Sequence, residues 1–347
     1  MKILILCESL IPSSGWGSYA KGLTEALRKQ GHDLTVLRTG DNDPPPFILP
    51  NIHDPSIAWV IKKIELWFWL RTHHFDLIHV MVEPYARLYR AFGRKPYILT
   101  VHGTYAKPEA HGRNAGVFRR AMRHARRIIA VSEYTSAHIP IEFLNKTTVI
   151  PNGVDMGIVD EPYDEQPKQG NPMILAVGAM KRRKGYAELI NGFNVFRQIH
   201  PDAMLCIVGE LEDHGYLIEI LKNKRYAGVY YGNIVTRRKL LGLYRACDIF
   251  ALTPVNEGLA FEGFGLVYLE ANAFGKPCVG SIESGVGYTV HDGVTGYAVD
   301  PRNAGAIAFA LEHSALFYTD RPEDITERVR RLSWDTRVPL YAEVYRT

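Results

Sequence analysis

Residues 2–38 read KILILCESLIPSSGWGSYAKGLTEALRKQGHDLTVLR. The first run, Lys2–Cys7, is short, apolar and unbroken, as a strand buried on both faces would be. A Gly/Ser loop follows, Gly15-Trp16-Gly17-Ser18, and then Ala20, Leu23 and Leu27 recur at i, i+3 and i+7. That spacing lines one face of a helix, and Gly31 stands where a C-terminal cap belongs. Asp33–Arg38 is a second β-rich run. Strand, helix and strand in this order form a βαβ unit, whose two strands are parallel.

The same alternation continues outward. Asp76–Val82, Tyr97–Gly103, Ile128–Ser132 and Thr147–Asn152 are further strand-like runs separated by longer stretches. Met156–Pro172 then breaks the rhythm with Pro, Asp, Glu, Gln and Gly and reads as a linker. Beyond it the alternation restarts with Met173–Ala179, Met204–Glu210, Val229–Asn233, Ile249–Pro254, Cys278–Ser281 and Gly296–Asp300. The expected fold is α/β: two Rossmann-like, doubly wound domains facing each other across a cleft. Their expected limits are residues 1–155 and 173–322, joined by the linker 156–172. A C-terminal helix over 323–347 is expected to cross back to the first domain. Ligands of such sheets bind beyond the carboxyl ends of the strands.

The 347 residues are 46% hydrophobic and 22% charged, an ordinary globular composition and more chain than one core usually holds. Cys7, Cys206, Cys247 and Cys278 are scattered among apolar neighbours with no CxxC or Cys/His cluster. Neither a zinc site nor a disulfide framework is expected, and a reducing cytoplasm suits the chain. The apolar run at Ile3–Cys7 is too short for a signal peptide, and no 18-residue apolar stretch occurs. Residues 1–150 hold 20 Lys and Arg against 12 Asp and Glu, a net of +8; the remainder holds 21 against 25, a net of −4. A basic first half collects anionic ligands or lipid surfaces, unless the charge is simply solvated. No nucleic-acid partner is expected.

Five stretches could carry chemistry. Gly15–Ser18 is a loop leading into a helix, where glycines allow close backbone approach and free amides favour phosphate; a plain turn would look the same. Gly178–Gly185 reads Gly-Ala-Met-Lys-Arg-Arg-Lys-Gly and crowds four cations after the second domain's first strand. There they would face a diphosphate or only water. Glu262-Gly-Phe-Gly-Leu-Val-Tyr-Leu-Glu270 places a helix start near Gly265, with Leu266, Leu269 and Ala273 as its apolar stripe. Glu262 then precedes the helix, Glu270 lies one turn inside it, and Gly263 and Gly265 expose amides at the positive helix end. Two carboxylates around a phosphate-binding loop suit a sugar nucleotide, although Glu262 as a helix cap and Glu270 in solvent remain open. His102 ends the fourth strand, a site or a structural histidine. Pro151-Asn-Gly-Val-Asp155 is a turn.

Taken in chain order, these pieces resemble the retaining glycosyltransferases of family 4, which have the GT-B fold. The resemblance rests on Gly15-Trp16-Gly17, Thr100-Val-His102, Ile129-Ala-Val-Ser132-Glu and Pro151-Asn-Gly-Val-Asp155. It continues with Val177-Gly178 through Lys184-Gly185, Val208-Gly209-Glu210, Leu243-Tyr-Arg-Ala-Cys-Asp248, Glu262 through Glu270, and Gly287 through Gly296, ending Asp-Gly-Val-Thr-Gly. The resemblance implies transfer of a hexosyl-type sugar from a nucleoside-diphosphate sugar, UDP- or GDP-linked, with retention of configuration. It implies Lys184 on the diphosphate, Glu270 on ribose and Glu262 on the donor sugar. Amides of Gly263, Phe264, Gly265 and Leu266 would meet the phosphate, Gly17 would approach it from the other domain, and His102 would stand beside the transferred sugar. Glu262, His102 and Lys184 are the implied catalytic residues; Gly178, Arg182 and Arg183 join the donor-binding set. No cofactor or metal is implied. One departure stands out: where the family often has Arg-Leu after the glycine, this chain has Ala179-Met180, leaving the second cation to Arg182 or Arg183.

Ala58–Phe75 mixes Trp59, Trp67, Phe68 and Trp69 with Lys62, Lys63 and Arg71, and Arg113–Arg127 is arginine-rich. These stretches point to an anionic membrane surface on the inner face of the plasma membrane, unless the aromatics belong to the core and the cations are ordinary solvated surface. The expected acceptor is then a glycan or lipid-linked molecule of cell-envelope polysaccharide or glycolipid biosynthesis. Two other readings keep the fold: a sugar-nucleotide 2-epimerase, and an inactive nucleotide-sugar-binding protein. An oxidoreductase is disfavoured, because no GxGxxG occurs.

Overall fold

The computed structural model describes residues 1–12, 14–39, 47–52, 54–222, 228–232, 235–317 and 322–347. The chain divides into two compact units, Met1–Gly153 with Trp334–Thr347, and Val154–Ser333.

Unit 1 holds β1 (Lys2–Leu6), β2 (Asp33–Leu37), β3 (Leu77–Val80), β4 (Tyr97–Val101), β5 (Arg127–Ala130) and β6 (Thr147–Val149), ordered β2-β1-β3-β4-β5-β6 and all parallel. Its helices are α1 (Gly15–Lys29), α2 (Ser56–Thr72), α3 (Ala115–His124) and the single turn α4 (Glu133–Ser136). The expected βαβ unit is β1-α1-β2. Its helix ends as the glycine implied: Gly31 is left-handed at φ +81°, its amide donates to Arg28 O, and His32 donates to Leu27 O.

Unit 2 holds β7 (Met173–Val177), β8 (Met204–Val208), β9 (Gly228–Tyr231), β10 (Ile249–Ala251), β11 (Cys278–Ser281) and β12 (Gly296–Val299). They are parallel in the order β12-β11-β10-β7-β8-β9, with α5 (Tyr186–Phe196), α6 (His214–Lys222), α7 (Arg237–Ala246), α8 (Leu266–Ala273), α9 (Ala304–Phe317) and α10 (Pro322–Arg330). All twelve strand-like runs of the sequence are strands; Asn233, at the end of one, lies outside the described residues, as do 318–321 near the expected boundary at 322. The sheets' centres are sealed, with Ile3–Leu6 and Met173–Ala176 at 0% exposure.

Two stretches differ from expectation. Residues 156–172 are bound along unit 2 rather than strung as a linker. Glu161 meets Arg237 through two hydrogen bonds of 2.7 Å, Asp164 pairs with Arg238 at 2.8 Å, and Lys168 pairs with Asp248 at 2.9 Å. A polar segment without periodicity can still be fixed by ion pairs. The stretch 323–347 is two helices, α10 in unit 2 and α11 (Trp334–Arg346) in unit 1. The break has a backbone cause: the Leu332 carbonyl accepts from Val154 N at 2.9 Å, so it is taken by another segment of the chain.

In unit 1, α11 is held by buried polar contacts. Tyr345 OH lies 2.7 Å from His79 Nδ1, His79 Nε2 lies 2.8 Å from Thr100 Oγ1, and Tyr19 OH contacts both Thr100 and Tyr341. Burial holds His79 down at about 3, so it is neutral and only exchanges hydrogen bonds.

Candidate active site

In unit 2 the strand order reverses direction between β7 and β10, the kind of switch point beside which open α/β sheets bind their ligands. The loop after β7 carries Arg182–Lys184 as a 3₁₀ turn and ends at Gly185, left-handed at φ +70°. A Cβ on Gly185 would lie 1.7 Å from the Thr253 carbonyl oxygen, so only glycine fits there. Thr253 Oγ1 donates to Gly185 O at 3.0 Å and Val255 N donates to Arg183 O at 3.0 Å. The loops after β7 and β10 are thus stitched together, and the stitching carries two cations onto Glu262. Lys184 Nζ stands 2.5 Å and Arg183 Nη1 2.7 Å from the same oxygen, Glu262 Oε2.

Burial opposes the Glu262 charge, but the two neighbouring cations outweigh it and hold the carboxyl at about 2. Lys184 is moved downward, by burial first, with Glu262 opposing. Arg182 goes elsewhere: its guanidinium pairs with Glu219 at 2.7 Å and lies over the Tyr216 ring. The second cation at the site is therefore Arg183. Gly178, at the exit of β7, supports the loop, its carbonyl accepting from Tyr186 OH at 2.6 Å.

Glu262 does not cap α8. The N-cap is Gly265, left-handed at φ +79°, and no side chain caps the helix. A Cβ at Gly265 would lie 2.5 Å from the Tyr268 ring. Gly263, buried Phe264 and Gly265 lead into α8 at Leu266, so the positive end of the helix follows directly on Glu262. The Glu262 backbone is fixed by Gly285 N, which donates to its carbonyl at 2.9 Å. Glu270 sits in the second turn of α8, half-buried rather than solvated. Tyr244 OH donates to Glu270 Oε2 at 2.9 Å from a wholly buried ring stacked on Phe274. Burial raises the Glu270 carboxyl, while Tyr244 and the Arg237 charge pull it back.

In unit 1, β1 and β3 mark the corresponding reversal. Gly17 lies in the first turn of α1, with its amide donating to the N-cap Ser14 Oγ at 3.1 Å; a Cβ there would come within 2.0 Å of the Ile11 carbonyl. Its smallness therefore serves the preceding loop. His102, just beyond β4, is held at two points: its backbone N donates to Glu83 Oε1 at 2.6 Å, and its Nε2 donates to Met81 O at 2.7 Å. A carbonyl only accepts, so Nε2 carries the proton and Nδ1 is the acceptor nitrogen. Burial lowers His102 to about 4, which keeps the ring neutral, and Tyr19 packs edge-on against it at 4.5 Å.

Two family models match in tandem, Glycosyltransferase Family 4 over residues 13–157 and Glycosyl transferases group 1 over 160–331. The chain belongs to glycosyltransferase family 4. Relatives of this family 4 chain include a glycogen synthase of Mycobacterium tuberculosis, 27% identical over 407 aligned positions covering 99% of this chain and 94% of the other. A phosphatidyl-myo-inositol mannosyltransferase of Mycobacterium tuberculosis is 26% identical, with 100% and 97% covered. The GT-B fold is shared with solved structures. Anabaena HepE in complex with UDP and glucose has a TM-score of 0.75 at 19% identity, with both chains covered in full. A glycosyltransferase of Rickettsia africae has a TM-score of 0.74 at 17% identity, with 99% and 98% covered.

The structure brings Lys184, Arg183, Glu262 and the 263–266 turn of this family 4 protein together, and leaves Arg182 out. Sequence reading missed Tyr244, the Glu161–Arg237 pair and Glu83. Tyr244 stood inside a matched motif; Glu83 had no local signal beyond its position after a strand.

Proposed function

We propose that the protein is a retaining glycosyltransferase that moves a hexosyl residue from a UDP- or GDP-sugar to a glycan or lipid-linked acceptor. The observation that carries this reading is the Arg183–Lys184–Glu262 cluster at the switch point of unit 2, set against the uncapped amino end of α8. Two cations and a helix end are what a departing diphosphate needs, each fixed donor being worth a few kcal/mol in the transition state. They supply that positive charge from the chain itself, and the reading includes no metal. Glu270, with one oxygen held by Tyr244, presents the other to ribose. His102, neutral and accepting at Nδ1, takes a hydroxyl of the acceptor. With no carboxylate assigned as nucleophile, retention is read as a front-face reaction in which the leaving phosphate receives the acceptor proton. The named relatives support both halves: HepE is described with UDP and glucose, and the mannosyltransferases act on phosphatidylinositol.

The lipid-linked acceptor draws further support from α2. Ile57, Val60, Ile61, Ile64 and Phe68 follow helical spacing and are each 44–65% exposed, whereas Trp59, Leu66 and Leu70 face inward. An apolar stripe on a basic half suits docking at an anionic bilayer, on the cytoplasmic face of the envelope in this reading. Among the described residues no helix is long and apolar enough to cross a membrane.

The test is a thermal-shift panel of UDP, GDP and their hexose conjugates, with EDTA present. The matching sugar nucleotide should stabilise the protein by about 2.7 kcal/mol at 100 times its Kd. NMR of the product should then show the donor's anomeric configuration. No shift with any nucleotide, or inversion, overturns the proposal.

A further inference from the structure

Lys184 and Arg183 both direct their charge at one oxygen, Glu262 Oε2, at 2.5 and 2.7 Å. The carboxylate is only 14% exposed, and Lys184 only 12%. The other cations of this loop are committed: Lys181 pairs with Glu212 at 2.6 Å and Arg182 with Glu219 at 2.7 Å. The stitched backbone at Gly185 and Thr253 holds the loop in place. A diphosphate that engages Lys184 and Arg183 therefore competes with Glu262 for their charge, with no spare cation in the loop to replace them.

A largely buried carboxylate stripped of its partners is costly unless other donors reach it. A hexose carries hydroxyl donors that can do so; a nucleoside diphosphate without sugar carries none at that end. We infer that Glu262 is a specificity residue that sets the preference for a sugar-bearing over a sugar-free nucleotide, by competing with the diphosphate for Lys184 and Arg183. This rests on the reading of those cations as the diphosphate site. Sugar hydroxyls compensate the carboxylate in the donor complex. Once the sugar has left, Glu262 regains both cations and drives the nucleoside diphosphate out, so one side chain serves donor selection and product release.

The experiment is calorimetry of UDP, GDP, UDP-glucose and GDP-mannose on the full chain, with uridine and guanosine as controls. The proteins compared are the wild type, Glu262→Gln, Glu262→Ser and Lys184→Met, each checked for folding by circular dichroism. Both Glu262 variants should bind the preferred nucleoside diphosphate about fivefold or more tightly than wild type, the size of a partly exposed ion pair. They should bind its sugar conjugate no more tightly, and the nucleoside equally. Two independent replacements keep the test open should one not fold. Unchanged or weaker diphosphate binding by the Glu262 variants overturns the inference. If Lys184→Met weakens diphosphate binding while the Glu262 variants leave it unchanged, the inference alone falls. If Lys184→Met leaves it unchanged, or no nucleotide binds any of the proteins, the underlying assignment falls as well.

Discussion

Glu83 is 0% exposed, and its carboxyl accepts the His102 amide from beneath the turn that presents the imidazole. Burial raises it to about 7, against the pull of that hydrogen bond. Because the folded-state value lies above the ordinary 4.5, the protonated form favours folding: the full contribution is present below about 4.5 and is lost as pH rises through about 7. Denaturant titrations at pH 5 and pH 8 should show the wild type losing up to about 3 kcal/mol over this interval from Glu83 alone. Glu83→Gln should lose less, keeping an oxygen for the His102 amide; an identical loss in both would remove Glu83 as the source. Tyr244 is a second case of a residue acting through another. Its hydroxyl favours the ionised Glu270 and fixes which carboxylate oxygen stays available.

The loop–helix junctions decide where these side chains stand. Gly185 joins the cation turn to α5, and Gly265 starts α8; both are left-handed and both are too crowded for a Cβ. Gly185→Ala would force the Thr253 carbonyl away and loosen the turn that carries Arg183 and Lys184. It should destabilise unit 2 by about 2 kcal/mol or more, combining backbone strain with displacement. Nucleoside diphosphate affinity, measured on the folded fraction, should fall as well. Loss of stability with unchanged affinity would mean that the stitching supports the fold and not the site. Helix periodicity foretold the end of α1 and the start of α8 within a residue or so, since apolar spacing and glycine caps are local signals, whereas Gly15–Ser18, read as a loop, is the first turn of α1. Periodicity merged α10 and α11, because nothing local records that Val154 claims the Leu332 carbonyl.

At the scale of the whole chain, the charge asymmetry and α2 make a joint claim. The tryptophans that drew attention to Ala58–Phe75 are not what faces outward: Trp59 is buried under the Arg87 guanidinium, and Arg71 lies over Trp67 at 3.9 Å. The exposed stripe is aliphatic, with Phe68. Vesicles rich in anionic lipid should sediment the protein at low salt, and neutral vesicles much less. The double variant Ile61→Gln and Ile64→Gln should reduce vesicle partitioning about tenfold or more, on the scale of the half of each side chain that is exposed, without altering nucleotide-induced thermal shifts. Equal binding to neutral and anionic vesicles would end the membrane reading.

The strands, their parallel sense and the division into two α/β sheets were determined by the sequence alone, because burial on both faces writes itself as apolar runs between helical repeats. The glycine turns next to Lys184 and Glu262, and the helix that carries Glu270, were legible too, from their spacing. Only the tertiary structure decided between Arg182 and Arg183. The two are adjacent, equally charged and equally plausible in the sequence, but successive residues of a 3₁₀ turn point about 120° apart. One guanidinium consequently meets Glu262, 79 positions along the chain, and the other meets Glu219. Glu83 and Tyr244 were hidden for the same reason: the groups they hold lie 19 and 26 residues away, brought into contact by strands and helices folding together.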